Sequence, residues 1–535
     1  MRRLTSTVIL AGSAVLCGVI LVCIDAKLHL LGSYPDHYDE ANYINQVCAD
    51  YSILKKEGLI EFASHFISPG ALQPPGFRLA GFFAALAGEP NMPILRSLSL
   101  LSLFVTALLL FLSGKEISGT KAGIVWASAF SFSMGVFAAA FWFGTEATFL
   151  FPALAGSIYG LGRWFHKIRP DAVTVIALAV SAALGSFSKV TFFAIFLPLI
   201  GAAILLAPET DKRRQTLLTV FGAIAVGTIV AAPWWLVNWR GALWFAKMSS
   251  RWSIREGPWV IDVAKNLLGV PFAIGFLIFL CWILARGHRL RKTVNRNTVN
   301  FVLVCLAGCL PFAALQMVSA NHLTRLLTPA LVPGAGVVAV LLDLGGLLKR
   351  RAVSAFIALL LLIQTGFIIW RIPAWTSEAW DWGQLRELAR AHGMQNPAIL
   401  MVGTTWTFNP PQIEYPWACH GEAIPEPRLA WSPGGFGGVE NPPIDWVKLN
   451  SLLDKVDIVL TAPMSLFDSS LVGQYNDELA RRLHERSDVW TPLYLNFGVG
   501  GKTTITVFFR NLKPNFRSLD LNSVGNQRLA SHLGF

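Results

Sequence analysis

The feature that most constrains this chain is an alternation, running from residue 4 to residue 369, of long apolar runs with short connectors that are basic at every second turn. A helix needs about 20 apolar residues to cross ~30 Å of hydrocarbon. Eleven runs approach or reach that length, at 4–24, 98–112, 122–143, 147–164, 172–187, 190–207, 217–237, 267–284, 299–318, 326–342 and 353–369. Hydrophobic residues make up 54% of the 535, and mean hydropathy is +0.52, more apolar surface than an aqueous domain could bury. The composition is that of an integral membrane protein.

Where the charge sits gives the topology. The net charge of +12 would ordinarily raise a polyanion partner. If the basic connectors face the cytoplasm, they hold 18 cations against five acids, while the other 26 cations and 27 acids nearly cancel. Arg2-Arg3, Lys212-Arg213-Arg214 and Lys349-Arg350-Arg351 lie in this group. The excess is therefore the positive-inside bias and not a nucleic-acid face. It places the amino terminus inside and everything after the eleventh run outside. The first run is long for a signal peptide and lacks a small-x-small cleavage site, so it reads as an uncleaved span.

A first exterior loop covers 25–95. Within it, Ile44, Val47, Tyr51 and Leu54 recur at helical spacing, which predicts an amphipathic helix over 43–59 lying on the membrane surface. The apolar stretch 77–87 is too short to cross and is expected to lie in the interface or re-enter. Residues 238–266 form another exterior loop, whose tryptophans fit an interfacial belt. From 372 to 535 the composition is that of a soluble domain, with helices over 382–392 and 477–486, strands over 398–402 and 457–461, and a closing pair of strands over 489–496 and 503–509. That reads as a small α/β domain with a long Pro/Gly-rich insertion over 409–443. Gly498 to Thr503 resembles a phosphate loop only superficially: Asn496 stands where its first glycine belongs and a strand follows, so a hairpin turn is expected. Cys48 and Cys419 both fall in exterior parts, where a disulfide is open to them, but sequence gives no distance.

Chemistry gathers at the exterior ends of the spans. Asp36-His37-Tyr38-Asp39-Glu40 puts three carboxylates just outside the first span. Glu146 sits in the turn Phe143-Gly144-Thr145-Glu146, and Lys189 in the short turn Phe187-Ser188-Lys189-Val190. Arg96 and Arg325 stand at two further exterior span ends. Each has an ordinary reading as a polar loop residue or as a side chain reaching for lipid headgroups. Together, cations beside an acidic loop fit an anion held at the membrane surface. Cations there could stabilise a phosphate leaving group as its bond to a sugar breaks, and a loop carboxylate could take the proton of an incoming hydroxyl. His37, His65 and His322 are scattered and form no ligand-spaced set, so no metal or cofactor is assigned.

In this order the features resemble the GT-C superfamily of membrane glycosyltransferases, within it the protein mannosyltransferases and the lipid A aminoarabinose transferases. The resemblance covers 1–371 and rests on Asp39-Glu40, Gln73-Pro74-Pro75, Glu146, Lys189, Ala232-Pro233-Trp234-Trp235 and Arg325-Leu326-Leu327-Thr328-Pro329. It implies a mainly α, polytopic fold of about eleven spans with a soluble carboxyl-terminal α/β domain. It also implies an inverting glycosyltransferase using a polyprenyl-phosphate sugar at the outer face of a bacterial cytoplasmic membrane, moving a hexose or pentose to a lipid, polysaccharide or protein. By the same resemblance Asp39 is the base, Glu146 assists the acceptor, and Lys189 and Arg325 hold the donor phosphate. Glu40 joins the catalytic group and Arg96 the binding group by position. Relatives usually carry aspartate at the place of Glu146 and a histidine or charged residue at that of Gln73. Two other readings stay open: a transporter or flippase of lipid-linked sugars, and a membrane-anchored binding or assembly protein.

Overall fold

A computed structural model of the protein describes residues 2–27, 35, 38–69, 71, 73–208, 213–249, 259–290, 295–319, 324–372, 380–403, 405, 408–422, 425, 427–431, 446–466, 470–497 and 503–511. The chain falls into two compact units. The first runs from Met1 to Arg386 and takes back Trp406–Ile424; the second is built from Glu387–Thr405, Pro425–Ser432 and the chain after Pro442. The boundary expected at 371/372 therefore lies inside the first unit, and the carboxyl-terminal region is shared between the two units.

All eleven apolar runs lie on helices of the first unit: α1 (Arg2–Asp25), α5 (Met92–Ile117), α6 (Thr120–Ser131) with α7 (Met134–Phe141), α8 (Phe151–Lys167), α9 (Ala172–Ser188), α10 (Val190–Leu205), α11 (Arg213–Ser249), α13 (Val270–Leu290), α14 (Arg296–Val318), α15 (Thr328–Leu344) and α16 (Arg351–Arg371). Between them, α2 (Tyr38–Glu57), α3 (Leu59–Ile67) and α4 (Gly76–Ala87) occupy the segment between the first two apolar runs, and α12 (Trp259–Asp262) is a single turn before α13. Among the described residues, five helices are long and apolar enough to cross a membrane alone, and α6 with α7 makes a sixth if the bent pair is one span. The remaining helices do not meet that measure, so the expected count of eleven rests on the charge pattern and not on length.

Polar and small residues explain how such apolar helices settle into one arrangement. The α6–α7 pair bends by 63°, which would leave carbonyls stranded in a dry interior. Gln364, a polar residue buried within α16, resolves this: its amide donates to Phe132 O at 2.8 Å and to Leu268 O at 2.9 Å. Trp126 donates across to Val332 O, one residue before Pro333 within α15. Close helix approach depends on glycine. A Cβ at Gly227 of α11 would stand 2.1 Å from Ala179 O of α9, and one at Gly114 of α5 would stand 2.6 Å from the Gly123 Cα of α6.

The loop helices differ from expectation in one respect. α2 exists where an amphipathic helix was expected, but its apolar face is turned to protein: Ile44, Val47 and Cys48 pack with Phe77, Leu95, Phe143 and Tyr415 in one buried cluster. Among the described residues, exposed large apolar side chains of this segment sit instead on α3, where Leu59 and Ile60 face outward, and at Phe83 of α4. Asp50 of α2 holds the three helices together. Arg78 of α4 donates to both of its carboxylate oxygens at 2.6 Å, and His65 of α3 lies 3.0 Å from it.

The second unit is a five-stranded sheet in the order β2-β1-β3-β5-β4, with β1 (Ile399–Val402), β2 (Pro427–Trp431) and β3 (Ile458–Thr461) parallel. β4 (Trp490–Phe497) and β5 (Thr503–Arg510) close it antiparallel, in agreement with the expected closing pair; the turn between them lies outside the described residues. α17 (Gly383–Ala391) precedes β1 in the chain, and α19 (Trp446–Leu453) and α20 (Ser470–Glu485) flank β3. Asn476 of α20 ties two strand ends, donating to Val402 O and accepting from Ala462 N. The insertion over 409–443 holds β2 and α18 (Pro410–Ala418), neither of which its proline content announces.

Gly227→Val should force α9 and α11 apart, because the new side chain would meet backbone of Ala179, which cannot rotate away. A loss of about 1–3 kcal/mol is expected. A thermal midpoint in detergent lower than that of the unaltered protein checks it.

Candidate functional site

The acidic pair divides its labour. In the first turn of α2, Glu40 is fully buried and accepts from Arg96 of α5 through both oxygens, at 2.9 Å from Nε and 2.8 Å from Nη2. One of the same oxygens accepts from Phe143 N at 3.1 Å. This carboxylate thus joins α2, α5 and the turn that carries Glu146. Asp39, the preceding residue, is only half-buried. Its place in the first turn of a helix suits an anion, since backbone amides at a helix start carry partial positive charge.

The neighbouring walls follow from α2 outward. Tyr43, one turn after Asp39, packs on Phe77 with ring centres 4.5 Å apart and donates to Gln73 Oε1 at 3.3 Å. Gly144 lies between it and Glu146: a Cβ there would sit 3.7 Å from the Tyr43 ring and 3.8 Å from a Glu146 carboxylate oxygen. Glu146 pairs with Lys189, both side chains mostly buried. Gly76, closing the Gln73-Pro74-Pro75-Gly76 turn, comes so near the Lys189 turn that a Cβ would lie 2.6 Å from Phe187 O. Tyr43, Gln73, Glu146 and Lys189 are in this way drawn around one short stretch of backbone, 143–146, to which Glu40, the residue after Asp39, is hydrogen-bonded. The hydroxyls of Thr145 and Ser186, fully buried on the turn before Glu146 and on the helix before Lys189, have no hydrogen-bond partner among the described residues.

Arg325 is carried by the turn Thr324–Leu327, which packs on α7 and on the turn Val263–Leu268; α7 in turn packs on Glu146–Leu150. Its backbone therefore reaches the same side of the bundle, while its side chain lies outside the described residues, as do Asp36, His37 and His322. Arg96 is brought in, but as the enclosed partner of Glu40.

No family model matches this chain, and no curated protein matches it. Solved structures do. The crystal structures of ArnT from Cupriavidus metallidurans, apo and bound to undecaprenyl phosphate, each superpose with a TM-score of 0.57 at 12% identity, covering 93% of this chain and 98% of the other. The archaeal oligosaccharyltransferase AglB from Archaeoglobus fulgidus, in complex with an inhibitory peptide and a dolichol-phosphate, gives 0.52 at 13% identity over 96% and 75%. ArnT and AglB are both GT-C proteins. The chain has the GT-C fold.

Within that fold several residues around the site carry no family signal. Tyr43 and Tyr415 are ordinary aromatic residues in sequence. Arg78 stands out only as the single cation of an otherwise apolar stretch. α18, distant in sequence, belongs to the first unit and lies on α2: Asn45 donates to Pro411 O at 2.7 Å, Gln412 donates to Pro35 O at 3.2 Å, and Cys419 forms a disulfide with Cys48. Tyr415 is buried beside Glu40 and Arg96, and burial pushes its hydroxyl above the usual phenol range. Next to it, burial pushes the Glu414 carboxyl up to about 7.

The enclosed charges and the raised carboxyl can each be tested by substitution. Arg96→Met leaves the Glu40 charge enclosed without a counter-ion and should cost about 3–5 kcal/mol; adding Glu40→Gln should recover much of that, and denaturant unfolding of the single and double variants checks it. For Glu414, the folded state holds a proton that the unfolded chain gives up between the ordinary carboxylate range and about 7. Stability should therefore fall as pH rises through that window. Glu414→Gln should match the unaltered protein near pH 4 and exceed it at pH 8 by roughly 1–3 kcal/mol, read as thermal midpoints.

Proposed function

We propose that this protein is an inverting glycosyltransferase that takes a sugar from a polyprenyl-phosphate donor and transfers it to an acceptor hydroxyl at the outer face of a cytoplasmic membrane. What supports the reading is the Glu40 carboxylate, which ties the first turn of α2, bearing the half-buried Asp39, to the turn whose Glu146 pairs with Lys189, in a GT-C fold. Structures of that fold have been solved with undecaprenyl phosphate and with a dolichol-phosphate.

Asp39 takes the proton of the acceptor hydroxyl as that oxygen attacks the anomeric carbon. The bond to the donor phosphate breaks on the opposite side, inverting the centre. Lys189 meets the charge growing on the departing phosphate; an ammonium has three donors, so it can hold Glu146 and a phosphate oxygen together. Arg325 is the second phosphate cation. Glu146 orients Lys189 and lines the acceptor side. Glu40 and Arg96 are positioning residues: their oxygens and nitrogens are engaged with one another and with Phe143 N, and what they supply is the placement of Asp39 against the Glu146 turn.

The side of the membrane is supported by the charge bias and by the Cys48–Cys419 disulfide, since such bonds persist in oxidising compartments. The sugar is a hexose or pentose, and the acceptor a lipid, polysaccharide or protein of the cell envelope.

Asp39→Asn should lower kcat by about 10²- to 10⁴-fold with little change in the donor KM or in the yield of folded protein. Transfer of labelled sugar from a polyprenyl-phosphate donor, by protein in lipid nanodiscs, checks this. Activity retained in the variant contradicts the assignment of the base.

A further inference from the structure

α18 is nine residues long, begins with two prolines and contains a third, Pro416. A helix this short does not persist alone in water. Yet it belongs to the membrane unit, although the chain before and after it belongs to the sheet, and it packs on α2, the helix that carries Asp39. Among the described residues its holds include the hydrogen bonds from Asn45 and Gln412, one from Lys56 to Gly421 O at 2.8 Å, the Arg386–Glu422 ion pair within the same unit, and one covalent bond, Cys48–Cys419, joining residues 371 apart in sequence. Tyr415 of α18 packs in the cluster with Tyr43, Ile44, Leu95 and Phe143, close enough to Glu40 and Arg96 to feel both charges.

We propose that α18 is a seal over the Glu40–Arg96 pair, kept in place by the Cys48–Cys419 disulfide, and that Tyr415 through this seal is a positioning residue for Asp39. The physical reason is the dielectric. An ion pair attracts strongly only where water is excluded, and once water enters, both partners are solvated and their geometry loosens. The Glu40 carboxylate is also what fixes the 143–146 turn to α2. Opening the seal therefore unfastens Asp39 from the Glu146 turn, while Lys189, held by Glu146 and by its own helix junction, keeps its hold on the donor. The loss falls on kcat and spares the donor KM.

This rests on the reading of the chain as a glycosyltransferase, so the test has one arm that needs no activity. Full-length protein in nanodiscs is compared with and without dithiothreitol, which gives two electrons and two protons to the bridge and closes to its own cyclic disulfide. Hydrogen exchange is expected to quicken at least 10-fold in 38–44 and 410–418 and to stay unchanged in α9 and α10. With a polyprenyl-phosphate sugar donor, kcat is expected to fall at least 10-fold at constant KM and to return on reoxidation. The double variant C48S/C419S should sit at the low kcat and ignore dithiothreitol, and Tyr415→Ala should reproduce it with the disulfide intact by mass. Unchanged exchange in 38–44 after reduction overturns the proposal, whatever the activity. So does full kcat in C48S/C419S, or a fall in Tyr415→Ala that comes from KM. Quickened exchange in a protein that transfers no sugar would keep the seal and defeat the glycosyltransferase reading instead.

Discussion

A single enclosed ion pair fixes the arrangement on which the rest of the candidate site depends. Glu40 uses both oxygens on Arg96 and shares one of them with Phe143 N, so a helix of the first loop, the second span and the turn before α8 meet at one carboxylate. A buried charge is tolerated only with its counter-charge and hydrogen bonds in place, which makes this junction strongly specified. The carboxylates proposed for catalysis lie within a few residues of it: Asp39 on one side, and Glu146, beyond Gly144, on the other.

Around that junction, glycine and proline set distance where side chains set chemistry. Gly76 allows the Pro-Pro turn to touch the backbone before Lys189, and Gly144 leaves room between Tyr43 and Glu146. Deeper in the bundle, the bend between α6 and α7 is made tolerable by Gln364 from a different helix. α7 is what links the Glu146 turn to the turn bearing Arg325. Polar residues within the spans thus answer for particular breaks in the backbone.

Much of this is legible in the sequence. Apolar length and the basic connectors locate the helices of the first unit, because hydrocarbon penalises exposed polar groups more heavily than any local preference of the chain can offset. The acids and cations at the span ends stand out because each is a lone charge in an otherwise apolar stretch, as Glu146 and Lys189 are. What sequence does not say is which of them pair. Arg96 and Lys189 look alike as isolated cations, yet one is enclosed with Glu40 and the other joins Glu146, a difference set by contacts 56 and 43 residues apart. Periodicity puts the α2 face against lipid because it records that a stripe is apolar and not what covers it; α18, hundreds of residues later, covers part of it. α18 itself is hidden by its prolines, although Asn409 followed by Pro410-Pro411 is a competent helix start, with the Asn409 side chain accepting from Gln412 N at 3.1 Å.

The proposed catalysis requires Asp39 and Lys189 to face the two sides of one donor. A structure determined by electron cryomicroscopy in nanodiscs containing a polyprenyl phosphate measures this directly. The phosphate is expected against the Lys189 ammonium, with the Asp39 carboxylate across the space a sugar would fill. Phosphate bound elsewhere on the bundle, or Asp39 turned away from it, would contradict the catalytic assignment.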